Sequence, residues 1–468
     1  MRKMLARIQS FTLLLCLSVA PFLVEAQNDT LTLDDYKSIL LSHHPIAKKA
    51  NLFDYIAESY LLQGDGVLDP KLVSNFDTKQ FKDQNYFRTW NSEIKVPTRL
   101  PVDFSVGYER NAGTFLNEQN FLPDNGLLYG SLNVSLLRGL MFDQQRFDIQ
   151  KSEIFADKSE IEKQIIIREL VFQGLNIYLE WAAAYLQLQN IEDYLSRVNE
   201  RHIFIKQLFE NGDKPAIDTV ESRINLNTAT KDRISAQDKY FQVIQKLNLF
   251  LWSEDGEPLV LQDQVVPEDF DTLLEELTAL IQIIDLSFQN DPLVKKTDIQ
   301  IRQIALENRL AKEQLKPQLD LKLNTIHSLG ENDLAYSYSP NDYKLGAKLE
   351  LPLRNRKARA QIRLNEAIID QVGYDQEYKI YELQNKYLTL LNSQILQAEA
   401  IVITNEKVEN SQLLYDAERL KFELGESSVF LLNDRERKLL DARFDNIKSL
   451  KELTLIINQL YFLNLGQL

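Results

Sequence analysis

Residues 343–360 read YKLGAKLELPLRNRKARA. Tyr343, Leu345, Ala347, Leu349 and Leu351 alternate with Lys344, Gly346, Lys348 and Glu350, the period of two that marks a strand with one apolar face. Pro352 stops the pattern, and Arg354, Arg356, Lys357 and Arg359 open a stretch, 356–424, without proline and with Gly373 as its only glycine. At about 1.5 Å rise per residue such a helix reaches on the order of 100 Å, far longer than the helices of globular cores. A second stretch of this kind runs from Met141 to Phe209. An amphipathic strand that hands over directly to a rod is the pattern that decides the fold.

The rods carry seams. Ile167, Val171, Gly174, Tyr178, Trp181, Tyr185 and Leu188 step by four and three, and Phe172, Leu175, Leu179, Ala182 and Leu186 form a second row. An average step of 3.5 is the period of left-handed coiled coils, and two seams give each rod a neighbour on both sides. Each rod ends at a glycine, Gly212 or Gly425, which suits a left-handed C-terminal cap, and a shorter helix then returns. Pro215 suits an early position of the first return helix, where Asp218 with Glu221 reads as a cap. The return arms are half as long as the rods. The short helices at Thr32–Gln63 and Asp271–Leu315 have the length to stack end to end with them and level the wall.

The chain is duplicated. His44-Pro45 recurs as Asp291-Pro292, and Pro70-Lys71-Leu72 as Pro317-Gln318-Leu319, both shifted by 247 positions. Leu132–Leu136 matches Ala347–Leu351 at a shift of 215, and Phe209-Glu210-Asn211-Gly212 matches Phe422-Glu423-Leu424-Gly425 at 213. The first half therefore carries an insertion of 32 residues between Lys79 and Tyr129. Inside it, Trp90, Ile94 and Val96, then Val102, Phe104, Val106 and Tyr108, read as a further strand pair at about 86–112. The expected organisation is a leader at 1–26, a first repeat at 27–255 with its tip at about 210–218, and a second at 256–468. The second repeat has strands at about 318–353 and a tip at about 424–430.

Composition narrows the function. Arg2, Lys3 and Arg7, the apolar run Phe11–Val24 and the small Ala26 read as a secretory signal peptide, whose removal takes a net +2 from a chain of −15 and leaves −17. An acidic chain with a pI near 5.0 is drawn to neither phosphate backbones nor anionic headgroups, so no nucleic-acid partner is expected. Cys16, inside the leader, is the sole cysteine, so disulfides, thiolate metal sites and cysteine nucleophiles are excluded from the mature chain. His43, His44, His202 and His327 have no zinc-like spacing, and no phosphate loop or nucleophile elbow occurs. No cofactor and no enzyme activity are expected.

Amphipathic strands in an exported chain without a long apolar helix point to a transmembrane β-barrel. Two strands per repeat give four per chain, too few to close, and open edges cannot face lipid. Three copies would give twelve.

On these residues the chain resembles the TolC-like outer-membrane efflux family, the trimeric channel-tunnels of Gram-negative tripartite pumps. The resemblance rests on Leu31-Thr32-Leu33-Asp34-Asp35, His44-Pro45, Asp291-Pro292 and Leu349-Glu350-Leu351-Pro352-Leu353 before the basic helix start. It rests also on the tips, where an aromatic-x-x-Gly hairpin is followed six positions on by Asp218 in the first repeat and by Leu431 in the second. The resemblance implies a mainly α fold with a β-barrel portion: a trimeric, twelve-stranded outer-membrane barrel that continues into a periplasmic coiled-coil cylinder. It implies a passive exit duct for efflux or type I secretion, gated where its tips meet a periplasmic adaptor and, through it, an inner-membrane transporter. Gly212, Pro215, Asp218, Gly425 and Ser428 are the tip residues to which gating or docking carries over. The alternative is a soluble periplasmic coiled-coil scaffold or adaptor. The inserted hairpin has no assigned place, either across the outer mouth or against the barrel.

Overall fold

The computed structural model describes residues 30–262, 264–279, 286–328 and 339–465. The leader at 1–26 lies outside them. In chain order the first repeat holds β1 (Thr30–Leu31), α1 (Leu33–His43), α2 (Pro45–Asp65), β2 (Lys71–Phe81), β3 (Gln84–Val96), β4 (Val102–Ala112), β5 (Leu127–Ser135), α3 (Gln144–Glu210) and α4 (Ala216–Asn248). The second holds β6 (Val266–Pro267), α5 (Phe270–Ala279), α6 (Pro292–Glu313), β7 (Gln318–Ser328), β8 (Tyr343–Glu350), α7 (Arg356–Glu423) and α8 (Val429–Leu465). The duplication seen in the sequence is thus a duplication of architecture, with 67 residues in α3 and 68 in α7.

Local chemistry sets the boundaries. Thr32 caps α1 by accepting from the Asp35 N–H at 3.1 Å while its hydroxyl donates to the Asp35 carboxylate at 2.7 Å, so one side chain serves the helix start and is held in place by the residue it caps. His44-Pro45 and Asp291-Pro292 are the same device: an N-cap side chain, His44 Nδ1 or Asp291 Oδ1, accepts the N–H two residues on, and proline occupies the first helical position. In the second repeat the short helix opens at Phe270, with Asp269 rather than Asp271 as its acceptor.

The helices form a wall four wide at every height. Above the middle the order is α2, α3, α6, α7, and below it α4, α3, α8, α7. Rods α3 and α7 run through, whereas α2 meets α4 end to end, as expected: the His44 ring stacks on Phe250 at 5.7 Å and meets the edge of Trp252 at 6.1 Å. The largest core surrounds this junction, with Trp181, Tyr178, Tyr36, Leu40, Leu247, Phe270 and Leu273 all buried. The Tyr178 hydroxyl donates to the Leu31 carbonyl at 2.6 Å and accepts from the Glu268 N–H, joining the short parallel pair β1–β6 to the rod. Deep burial holds the Tyr36 and Tyr178 hydroxyls neutral, their pKa values raised well above the ordinary range.

The remaining strands make one antiparallel sheet in the order β2-β3-β4-β5-β7-β8. The four expected strands are β2, β5, β7 and β8, and the inserted hairpin enters between the first two as β3 and β4. Among the described residues the chain's sheet therefore holds six strands, the four expected and the inserted pair. Cross-strand register sorts the side chains into two faces. Leu72, Ile94, Val106, Leu132, Leu323 and Leu345 stand on one; Asp77, Glu93, Asp103, Asn133, Lys322 and Lys348 stand on the other. The polar face carries a half-open pocket of about 390 Å³ whose lining includes Glu93, Lys95, Asp103, Asn133 and Lys322. Here Ser131 and Ser135 of the first repeat bond Asn324 and Asp320 of the second, at 2.8 and 2.9 Å.

Candidate functional site

Far from the sheet, the two helical hairpins end side by side. Gly212 has φ of +86° and Gly425 of +80°, values that glycine alone adopts without strain. In both tips an N–H one residue beyond the glycine reaches back across the turn, Asp213 to the Leu208 carbonyl and Glu426 to the Lys421 carbonyl, each at 2.8 Å. That is the six-to-one bond of a Schellman cap. A methyl group built on either glycine would meet nothing within 4 Å, so the backbone angle, and not crowding, is what demands glycine.

The return helices start differently. Pro215 is the N-cap of α4 and offers no side-chain acceptor, so Asp218 is not the cap: it stands one turn inside, its N–H bonded to the Pro215 carbonyl at 3.1 Å. Its carboxylate there complements the positive end of the helix. Ser428 occupies the equivalent place in the second tip and does cap, accepting from the Leu431 N–H at 3.2 Å. Leu431, which stands where Asp218 would recur, has no such charge. The tips touch through Lys214, whose ammonium lies 5.4 Å from the centre of the Phe422 ring, a cation–π contact.

The sequence reading missed the contacts that lock the hairpins together. Glu436 of α8 is fully buried and takes Arg197 and Arg201 of α3 on its two carboxylate oxygens, the Arg197 contact at 2.8 Å. The next residue, Arg437, pairs with Asp232 of α4 and with Asp441. At about 1.5 Å per residue the Glu436 clamp sits on the order of 20 Å from the Gly212 turn. Burial, and then the Glu436 charge, push the neighbouring Tyr194 and Tyr415 hydroxyls up in pKa. Near the first tip, His202 Nδ1 lies 2.8 Å from the Ser222 hydroxyl across the α3–α4 hairpin. Burial and the positive charges of Arg223 and Lys206 hold His202 below the usual histidine range. The signal for the clamp was present in the seam Leu432, Glu436, Leu439, Arg443, where charges occupy positions that otherwise pack.

Among the described residues no helix is long and apolar enough to cross a membrane, and no cluster of three or more His, Cys, Asp or Glu could hold a metal. What the arrangement offers is a two-faced sheet, a hollow-sided wall and a pair of clamped tips. This is the fold of outer-membrane channels, as the TolC-like resemblance led us to expect. The outer-membrane channel OprN superposes with a TM-score of 0.63 over 93% of this chain and 89% of its own, at 13% identity. CusC, described as forming a transmembrane channel, gives 0.63 over 92% and 91% at 16% identity. The Campylobacter jejuni outer membrane channel CmeC gives 0.62 over 92% and 85% at 14% identity. No family model matches the sequence, and none of the curated proteins aligns with it significantly.

Proposed function

We propose that this chain is an outer-membrane exit duct, a passive conduit for efflux or type I secretion that runs from the membrane into the periplasm and closes at its helical tips. The observation that carries the reading is the single amphipathic sheet continuous with a four-helix wall. An apolar face on which Leu72, Val106, Leu345 and Leu349 are half or more exposed is costly in water and satisfied in lipid. That face favours the duct over a soluble scaffold or adaptor.

The wall is open along both edges, and the edges match. On α7, Tyr374, Tyr378, Tyr381, Leu388, Ile395 and Val402 form an exposed seam in steps of four, three and seven. On the opposite edge Leu52, Tyr55 and Leu62 of α2 continue into Ile217, Val220 and Ile224 of α4, also exposed. Seams of this period pack knobs into holes against a second helix, so one copy's α7 receives the next copy's α2 and α4. A homotrimer closes the ring. Gly212, Pro215, Asp218, Gly425 and Ser428 shape the tips that meet a periplasmic adaptor and, through it, an inner-membrane transporter.

Fractionation, crosslinking and planar-bilayer conductance test the proposal together. Recovery in outer membranes as a crosslinkable trimer that conducts ions is the expected result. A monomer released by osmotic shock and without conductance overturns it in favour of the scaffold. Asp218→Asn should weaken adaptor capture while leaving the trimer intact, and unchanged capture would remove Asp218 from the docking surface.

A further inference from the structure

Resting on that duct reading, we infer that the inserted hairpin β3–β4 is transmembrane wall, so that each copy supplies six strands and the trimer closes an eighteen-stranded barrel. The hairpin is not a flap beside the sheet. It pairs with β2 from Lys71↔Lys95 to Phe81↔Gln84, and with β5 from Val102↔Val134 to Glu109↔Leu127. Its strands have 13 and 11 residues, enough for the 9–11 that a tilted span needs. Lys82 and Asp83, with φ of +52° and +55°, make the two-residue turn whose twist suits a hairpin. At the helix end Arg99 ties the other turn down, pairing with Asp65 and accepting Arg146 Nε on its carbonyl at 3.1 Å.

Its side chains obey the division of faces set by the other four strands. Trp90, Ile94, Val96, Phe104 and Val106 share the apolar face with Leu72, Leu132 and Leu345. Towards the middle of that face polar atoms satisfy one another, the Ser74 and Ser92 hydroxyls 2.7 Å apart and Trp90 Nε1 donating to Ser74 at 3.1 Å, as a face without water requires, while Arg88 and Arg110 stand at its far end. On the polar face, Tyr129 of β5 lies across β4 at Gly107, where a Cβ would come within 2.5 Å of its ring. Its hydroxyl then donates to Asn91 of β3 at 2.8 Å. β3 is thereby bonded across β4 to a strand it does not itself adjoin.

Dimensions agree. Three four-helix walls make a ring of twelve helices about 10 Å apart, roughly 120 Å around. Eighteen strands about 4.8 Å apart and tilted about 40° give roughly 110 Å, a circumference that such a ring can carry. Six is also even, so β8 of one copy meets β2 of the next in the antiparallel sense that the sheet already has.

The test uses the full chain with Cys16 replaced, reconstituted in vesicles containing brominated lipid. Single cysteines carry a fluorophore at Ile94 and Val106 in the hairpin and at Leu345 in β8, and Asn91→Cys and Glu109→Cys are probed with a membrane-impermeant maleimide through the open lumen. Quenching at Ile94→Cys and Val106→Cys as deep as at Leu345→Cys, with maleimide labelling at both polar-face sites, is the expected result. No quenching in the hairpin while Leu345→Cys is quenched overturns the eighteen-stranded barrel and leaves the duct standing. No quenching at Leu345→Cys either overturns both.

Discussion

Glu436→Gln isolates the clamp that joins the two hairpins. The substitution keeps the volume of the side chain and removes its charge, leaving Arg201, 9% exposed, facing a neutral amide inside the wall. Breaking a buried pair by removing one partner costs about 3–5 kcal/mol. Arg197, 35% exposed, turns to solvent and adds little, so the loss lies near the lower end, about 3 kcal/mol. Because about 1.36 kcal/mol is a factor of ten, local opening should rise on the order of a hundredfold. Hydrogen exchange of the reconstituted protein reads this directly. Amides near Arg197–Ile205 and Leu432–Leu440 should exchange on the order of a hundredfold faster, with those of α2 and α6 unchanged. Replacing all three members, Glu436→Leu with Arg197→Met and Arg201→Met, should restore protection, since an apolar triad has no charge to solvate. A change under about threefold for Glu436→Gln would refute the argument, because it would put the clamp below about 0.7 kcal/mol, in the range of a surface ion pair.

Gly212→Val and Gly425→Val force a β-branched residue into the left-handed region and should each destabilise their tip by about 1–3 kcal/mol, read as faster protease nicking there, with Asn at the same position milder. His202 is held below its ordinary value, so the unfolded hairpin binds the proton more readily; stability is level above about pH 6.5 and falls as the pH drops below it. Protection near Ser222, taken relative to the intrinsic exchange rate at each pH, should therefore fall as the pH drops from about 6.5 to 5.5, and His202→Gln should abolish the effect. Gly107→Val drives a methyl group into Tyr129 and should lower the melting temperature of the oligomer, whereas Gly346→Val, with open space at that position, should not.

Much of this architecture is legible in the sequence because length and period are local properties. The absence of proline over 356–424, the steps of the α3 seams and the repeated acceptor-proline pairs each determine their element without reference to distant residues. The count of wall strands is not local. Ser74 and Thr78 interrupt the apolar row of β2, and only once Ser92 and Trp90 are placed beside Ser74 does a polar residue on that face make sense. Asp218 was misjudged because its offset from Gly212 fits a cap, whereas proline, fixed at φ of −76° with an extended ψ of 154°, ends the turn earlier and takes the cap position itself. Glu436 is visible as a charge in an apolar seam, but its arginines lie 239 and 235 positions away, so no spacing names them as its partners.

The end-to-end meeting of α2 with α4 bears on the mechanics of the wall. At that level α2 gives way to α4 while α3 and α7 run on unbroken, so bending loads there fall on the two rods, as on a mast jointed at one station. Among the described residues the three bulkiest fully buried side chains, Trp181, Tyr36 and Tyr178, gather at that station with Phe270 beside them, a collar where the column would otherwise buckle.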